Sequence, residues 1–312
     1  MNPSSEQTAS ATAAPNGIAG GLLLASLGAI AFSGKAIIVK LGYRYGADAV
    51  LLLMLRMLFA LPLFLLMAWW AGRGRPPLSR RDWLGVWGLG FSGYYLSSYL
   101  DFAGLQYITA SLERLILYLN PTLVVIFGWL VYGRTITRGQ LLGMALSYCG
   151  VLLVFGHELG AQGSHAAWGG FLVLASAISY AVYLIYSGEM VRRLGSLRLV
   201  GLATSVACVL CIAQYLIVGD VASLQAVARE VLWLSLLNAF LCTAAPVLMV
   251  MMAIERIGPG LAAQVGMIGP LSTILMGVWL LDEGFSQWML AGTVLVMGGI
   301  LLFTRKARRQ QG

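Results

Sequence analysis

Five ionisable side chains interrupt long apolar runs in the first half of the chain. They are Lys35, Arg56, Asp101, Glu113 and Arg114. A charge at the centre of a bilayer costs about 2.5–3.5 kcal/mol on insertion scales, so such residues usually face a cavity or pair with each other. Three bases and two acids allow two interpretations: a subsite that binds the carboxylate and amine of a ligand, or an ion-pair network that holds helices together. Because the adjacent Glu113 and Arg114 lie about 100° apart on a helix, only one is expected to face a narrow pocket.

Tyrosine side chains recur at helical spacing near these charges. Tyr95 and Tyr99 share one helix face, and Tyr180 and Tyr183 recur at helical spacing further along the chain. Together with Tyr118, they are candidates for the lining of an amphipathic substrate cavity. The alternative is that these tyrosines only join helices by hydrogen bonds.

Two prolines, Pro121 and Pro270, lie inside otherwise helical runs. Each removes one helical hydrogen bond and frees the carbonyl four residues earlier, that of Leu117 or Gly266. We predict that both positions are kinks or hinges near a transport pathway. A static kink tolerated by packing is the alternative.

The composition indicates what positions these residues. Apolar residues make up 59% of the 312 positions and charged residues only 10%, whereas soluble domains carry about 25% charged residues. Most of the exterior must therefore face lipid. Since a crossing needs about 20 apolar residues, we predict an all-α integral membrane protein with ten transmembrane helices. Their predicted ranges are 17–41, 48–72, 83–103, 107–132, 138–156, 166–187, 197–218, 230–253, 258–281 and 285–304.

The predicted loops differ sharply in their content of lysine and arginine. The two tails and the alternate loops beginning with 73–82 hold 14 of these residues, and the opposite loops hold three. By the positive-inside rule, both termini are expected to be cytoplasmic. The excess of basic residues therefore indicates orientation in a membrane, and no nucleic-acid partner is expected.

The two halves of the chain resemble each other. Shifting residues 107–154 by 149 positions places them on 256–303 without a gap. The matched pairs include Pro121 with Pro270, Gly128 with Gly277, Gly143 with Gly292, Gly150 with Gly299, and Gly20–Gly21 with Gly169–Gly170. We predict two five-helix repeats, 17–156 and 166–304, between a disordered cytoplasmic tail (1–16) and a basic one (305–312). Because five is odd, the repeats are inverted, an arrangement suited to alternating access around a central cavity.

Two segments carry a recognisable pattern: GLQYITASLERLILYLNPTLVVIFGWLVYGRTITRGQLLGMALSYCGVLLV and IGPGLAAQVGMIGPLSTILMGVWLLDEGFSQWMLAGTVLVMGGILL. They resemble the signature of the EamA-type branch of the drug/metabolite transporter superfamily, and the resemblance covers about residues 17–304. It implies a ten-helix carrier of the cell (inner) membrane, similar to YddG-type amino-acid exporters. One departure is Arg134 after Gly133, where the family often has Gly-Glu; the second repeat keeps the acid at Asp282–Glu283.

The sequence thus predicts a secondary transporter that moves small metabolites and exports amino acids. A multidrug, other-metabolite or nucleotide-sugar-like carrier of the same fold is the alternative. An intramembrane enzyme is disfavoured, because both histidines fall in a predicted loop and no HExxH or GxSxG motif occurs. A channel would favour a pore-lining ring of charges over an inverted repeat. The expected partners are a small-molecule substrate and the lipid bilayer; no cofactor or metal is expected, and a monomer is expected to suffice.

The predicted orientation can be tested by cysteine labelling in a variant without native cysteines. We expect a membrane-impermeant maleimide to label Ser164→Cys from outside intact cells. Gln310→Cys, in the carboxyl tail, should react only after the membrane is permeabilised. Labelling of both positions from the same side would contradict the inverted repeat.

Overall fold

The computed structural model describes residues 15–133, 135–220, 224, 226–266 and 268–308, and nearly all of them are helical. The first half contains α1 (Pro15–Arg44), α2 (Ala49–Gly72), α3 (Arg80–Leu89, the π-helical Gly90–Leu96 and Ser97–Leu105), α4a (Ala110–Leu117), α4b (Asn120–Tyr132) and α5 (Arg138–Gln162). The second half contains α6 (Ser164–Leu194), α7 (Ser196–Val218), α8 (Arg229–Ala239, the π-helical Phe240–Ala244 and Ala245–Gly266), α9 (Ile268–Leu281) and α10 (Gln287–Arg308).

The helices have the length and composition that a bilayer requires. Among the described residues, seven helical stretches are long and apolar enough to cross a membrane, and α9 and Gln287–Leu302 of α10 are shorter apolar helices. Large apolar side chains lie on the outer surface, such as Ile217 at 81% and Trp279 at 88% exposure. Lipid is the solvent in which such a surface is stable. The all-α membrane fold is thus confirmed, and the count of ten crossings stays a prediction.

The first and last helices extend beyond the predicted spans. Residues 1–14 of the predicted tail (1–16) lie outside the described residues, and α1 begins at Pro15. At the other end, α10 continues to Arg308, beyond the predicted boundary at 304. Residues 309–312 of the predicted basic tail lie outside the described part of the chain.

Contacts between α5 and α10 reveal how the two repeats are related. A Cβ placed at Gly150 would lie 2.6 Å from the carbonyl oxygen of Gly292, and one at Gly299 would lie 2.5 Å from that of Gly143. The two contacts join symmetry-matched glycines, because Gly143 corresponds to Gly292 and Gly150 to Gly299. The equivalent helices therefore run antiparallel. Only repeats inverted with respect to each other place equivalent helices in this way.

A second pair of contacts repeats the same symmetry at α1 and α6. Gly20 of α1 packs against Arg256, and Gly169 of α6 packs against Tyr107. The second contact is the repeat equivalent of the first, because Gly169 lies 149 positions after Gly20 and Tyr107 lies 149 positions before Arg256. The glycine pairs that the sequence comparison matched thus have the same structural task in each repeat, which is to let two helices approach closely.

The predicted boundary between spans 230–253 and 258–281 is wrong in detail. Helical residues continue through 254–257 as far as Gly266. The contacts with α1 nevertheless change direction. From Cys242, beside Gly34, to Ile257, beside Gly21, they run toward the start of α1, and Gly269 then lies beside Ser33, further along α1 again. The chain therefore passes α1 once in each direction, as the two predicted spans require.

The loop before α3 is closed by a capping box. Ser79 Oγ accepts a hydrogen bond from the Asp82 backbone N–H, and the Asp82 carboxylate accepts one from the Ser79 backbone N–H. Arg193 at the end of α6 lies 2.8 Å from the Asp82 carboxylate. Hydrogen bonds from Ser79 hold the pKa of Asp82 below its ordinary value. Arg193, one of the basic residues that indicate orientation, thus also joins the end of α6 to the start of α3.

The glycine contact between α5 and α10 yields a stability prediction. Gly150→Ala should lower the free energy of unfolding by about 1–3 kcal/mol, because the added methyl group overpacks the crossing. Unfolding of the purified protein by titration with SDS in mixed micelles measures the change. Gly156→Ala is the matched control on the same helix, since a Cβ there meets no described atom within 4 Å. Equal midpoints for the two variants would contradict the close crossing.

Candidate functional site

A buried cluster of three charges joins α1, α3 and α4a. Lys35 Nζ lies 2.5 Å from Asp101 Oδ2 and 3.5 Å from Glu113 Oε1. All three residues are buried, and Glu113 has no exposed surface. This charged cluster corresponds to the ion-pair network that the sequence allowed, with Lys35 at its centre. It lies about 14 Å along α1 from Arg44 at the helix end.

Two carboxylates share one lysine in the charged cluster. Asp101 receives the short bond from Lys35, whereas neither Glu113 oxygen accepts a hydrogen bond from the described residues. The nearest further cation is Arg114, with its Nε 3.9 Å from Glu113 Oε2. The charges of Lys35 and Arg114 thus balance those of Asp101 and Glu113.

Arg56 lies apart from the charged cluster and connects the two repeats. Its Nε donates to Thr243 Oγ1 of α8 over 2.9 Å, and its guanidinium lies 5.2 Å from the ring centroid of Phe102. No carboxylate of the described residues lies within salt-bridge distance of it. Its charge is therefore stabilised by neutral groups, a hydroxyl and an aromatic face.

Arg114 also connects the repeats, but at a different place. Its Nε donates to Thr273 Oγ1 of α9 over 3.1 Å, and its Nη2 donates to the Phe32 carbonyl over 3.3 Å. The ring of Phe32 lies 5.7 Å from the guanidinium carbon. Glu113 faces Lys35 and Arg114 faces α9, as expected for neighbours on a helix.

Arg114 forms part of the wall of a cavity of about 290 Å³ between the two repeats. The cavity lies near the middle of α1. Its lining combines residues of α1 and α4a with residues of α8 and α9: Gly28, Ala29, Phe32, Ser33, Arg114, Tyr118, Pro246, Val247, Val250, Gly266 and Gly269. An interface between repeats at this depth is where carriers built from inverted repeats bind their substrates.

Tyr118 lies in a break in the helix, three residues before Pro121. α4a ends at Leu117 and α4b begins at Asn120, with Pro121 in its first turn. The proline therefore starts a new helix, where its missing N–H costs no hydrogen bond, instead of kinking a continuous one. The kink expected at Pro121 takes the form of this break, and whether it acts as a hinge stays a prediction.

The second proline frees a carbonyl that the first repeat uses. Gly266 accepts a hydrogen bond of 3.0 Å from the Tyr118 hydroxyl, and Gly266 lies four residues before Pro270. A Cβ at Gly269 would lie 2.8 Å from the Tyr118 hydroxyl oxygen. The glycine that precedes Pro270 thus leaves room for Tyr118 in the cavity wall.

The other candidate tyrosines lie away from this cavity. Tyr183 stacks on Tyr180 with ring centroids 5.4 Å apart, and its hydroxyl lies 3.1 Å from that of Tyr94. Tyr95 packs against Phe91. Tyr99 lines a separate cleft of about 370 Å³ next to Asp48. The structure therefore brings Arg114 and Tyr118 together in one wall and places the other four tyrosines in helix contacts or elsewhere.

Sequence reasoning missed several residues of the site. Phe32, Ser33 and Thr273 line or support the cavity, and each looks like an ordinary residue of an apolar helix. Glu283 falls in the short predicted connection between spans 258–281 and 285–304. Its carboxylate accepts hydrogen bonds from the backbone N–H groups of Ala110 and Ser111. The one available signal was the retention of an acid at this point of the second repeat.

A second carboxylate holds the same end of α4a. Glu158 of α5 accepts hydrogen bonds from the hydroxyl and the backbone N–H of Thr109. Anions are favoured at a helix N-terminus, where backbone N–H groups lack partners. Two acids, Glu158 and Glu283, therefore fix the short helix that carries Glu113 and Arg114.

Comparison with known proteins agrees with this architecture. Residues 19–156 and 167–305 each match the profile of the EamA-like transporter family. The chain is 30% identical over 279 residues to the uncharacterized transporter YcbK of Bacillus subtilis (strain 168), covering 85% of this chain and 86% of that protein. It is 25% identical over 285 residues to an uncharacterized transporter of Archaeoglobus fulgidus, covering 91% and 97%.

A solved crystal structure supports the fold independently of these relatives. It superposes with a TM-score of 0.60 at 20% sequence identity, covering 94% of this chain and 99% of the other. At this identity the similarity concerns the fold alone.

The charged cluster generates a double-mutant prediction. Lys35→Met should cost about 3–5 kcal/mol of unfolding free energy, because it leaves two buried carboxylates without their lysine. Adding Asp101→Asn should restore part of this loss, since one of the two unpaired charges is removed. Adding Glu189→Gln, which removes an exposed carboxylate elsewhere, should restore nothing. SDS unfolding measures these variants and the single Asp101→Asn and Glu189→Gln substitutions, and purely additive effects for Lys35 and Asp101 would contradict a shared cluster.

Proposed function

This chain belongs to the EamA-like transporter family, and from that premise we propose that it exports small carboxylate-bearing metabolites, with amino acids as the first class. It is a multi-pass membrane transporter with a small-molecule substrate. We further propose that it acts by alternating access, that it resides in the inner membrane with both termini cytoplasmic, and that one copy suffices.

The cavity at the repeat interface is the observation that carries this proposal. It combines one guanidinium, from Arg114, one phenol, from Tyr118, and one hydroxyl, from Ser33, with otherwise apolar walls. Binding sites of this type orient a ligand through a few polar groups and hold its body by apolar contact. A cationic group with fixed geometry is the usual partner of a carboxylate.

The size of the cavity favours small metabolites over the alternative substrates. Its volume of about 290 Å³ lies just below the range of about 300–1,000 Å³ typical of small-molecule sites. A nucleotide sugar or a drug-sized cation would need more space. A nucleotide sugar would also need several donors for its phosphates, and a drug-sized cation would meet the positive charge of Arg114.

Alternating access is supported by the symmetry of the helices. Inverted repeats exchange two related conformations when one bundle rocks against the other around a fixed site. The cavity is formed by both repeats, through Arg114 and Phe32 on one side and Gly266 and Pro246 on the other. A movement between the repeats would therefore open it without rebuilding either wall.

Transport into proteoliposomes tests the proposal. A panel of radiolabelled amino acids, with and without a pH gradient, should identify at least one solute with saturable uptake, since a carrier saturates. Arg114→Gln should reduce that uptake by at least about tenfold, because a buried charge-assisted hydrogen bond contributes about 1.5–3 kcal/mol.

Arg192→Gln provides the matched control, with the same substitution at an exposed position at the end of α6. It should retain wild-type uptake. If no amino acid moves, the amino-acid assignment fails. Wild-type uptake by Arg114→Gln would remove the cavity from the transport pathway.

A further inference from the structure

The charges around the cavity do not match a zwitterion. We infer that the cavity recognises its solute through the carboxylate alone, and that apolar monocarboxylates without an amino group are its best ligands. This inference rests on the proposed function, since it takes the cavity for the solute site. It goes further by stating that the carboxylate of the solute is recognised and that an amino group is not.

The first argument is the charge at the cavity wall. Arg114 is the one charged side chain among the described residues that line the cavity. A bound monoanion places its charge beside this guanidinium. A zwitterion also brings a positive group that meets no opposite charge in the lining, and an amine without a carboxylate only adds positive charge. Because uncompensated charge is costly in an apolar interior, the monoanion is the favoured ligand.

The second argument is the geometry of Arg114. Two of its nitrogens donate to neutral acceptors, Thr273 and the Phe32 carbonyl, which hold the guanidinium plane in place. Its Nη1 makes no hydrogen bond to the described residues. Glu113, the nearest acid, lies at 3.9 Å and is turned toward Lys35. The guanidinium is therefore positioned in advance and has donor capacity left for a carboxylate.

The third argument concerns the acceptors that an ammonium group would need. Among the described residues that line the cavity there is no aspartate or glutamate. The Gly266 carbonyl already accepts from Tyr118, and the Gly269 carbonyl accepts from Ser33 and Thr273. An ammonium group would exchange full hydration for oxygens that have other donors. Polar groups buried without good partners lower affinity.

The remaining walls indicate the body of the ligand. Ala29, Pro246, Val247 and Val250 contribute apolar surface to the same cavity. A short branched or aromatic chain would bury its surface there and keep its carboxylate at the guanidinium. The ligand class is thus the small apolar monocarboxylates. An amino acid with an apolar side chain binds through the same carboxylate, and its amino group is dispensable for binding.

Binding to the purified full-length protein in detergent tests this inference without transport. The probes are 4-methylpentanoate, leucine and leucinamide, which share one side chain and differ in their charged groups. Calorimetric titration at pH 7.5 should find 4-methylpentanoate at least as tight as leucine. Leucinamide, which lacks the carboxylate, should bind at least about tenfold more weakly than leucine.

Two variants identify the site. Arg114→Gln should weaken 4-methylpentanoate at least about tenfold, and Arg114→Lys should recover part of the affinity because it restores the charge. Ser272→Ala, next to Thr273 on the exposed face of α9, should leave all three affinities unchanged and controls for general perturbation.

Three results would overturn the inference. They are leucine binding more tightly than 4-methylpentanoate, leucinamide binding as tightly as leucine, and absence of binding by all three probes. The order of affinities is independent of flux. A protein that binds the probes in the expected order and transports none of them would refute the proposed function and leave the recognition of carboxylates standing.

Discussion

The removal of five charges from water is the constraint on which the rest of this structure depends. In a bilayer interior each charge needs a partner supplied by the protein. Lys35 pairs with the two acids. The arginines donate hydrogen bonds to threonine hydroxyls and lie near phenylalanine rings of neighbouring helices. These contacts tie α1, α2, α3 and α4a to one another and to the second repeat. The ion pairs and the cavity are therefore parts of one network.

The network divides its chemistry unequally between two repeats that share a backbone plan. The first repeat supplies the charges, and the second supplies neutral acceptors: the hydroxyls of Thr243 and Thr273 and the carbonyl of Gly266. Symmetry of the helices suits the proposed alternating access, in which the protein opens in two related ways. Asymmetry of the side chains suits a single solute site, because the guanidinium among the described residues that line the cavity comes from the first repeat. The two requirements are met by different parts of the same sequence.

Helix breaks connect the network to the cavity. The interruption before Pro121 contains Tyr118, which lines the cavity. The carbonyl of Gly266, freed by Pro270, accepts a hydrogen bond from the Tyr118 hydroxyl. Non-helical backbone is tolerated at membrane depth only where it is buried in protein or lines a cavity. Glu158 and Glu283 stabilise the opposite end of α4a, so this short helix is held at both ends. The position of Arg114 thus depends on acids that lie outside the cavity and on a proline in the other repeat.

The sequence by itself determined the solvent, the repeats and the five charges inside the predicted spans. Hydropathy, the register of 149 residues and the cost of intramembrane charge depend on composition and order alone, so they could be inferred without coordinates. Only the tertiary structure decided which charges pair and which line the cavity. Glu113 and Arg114 are neighbours in sequence with opposite environments, and Thr273 lies 159 residues from the arginine that it supports. Nothing local distinguishes such a threonine or a cavity-lining Phe32 from others in apolar helices, because their roles arise from helices that meet only after the two repeats have packed together.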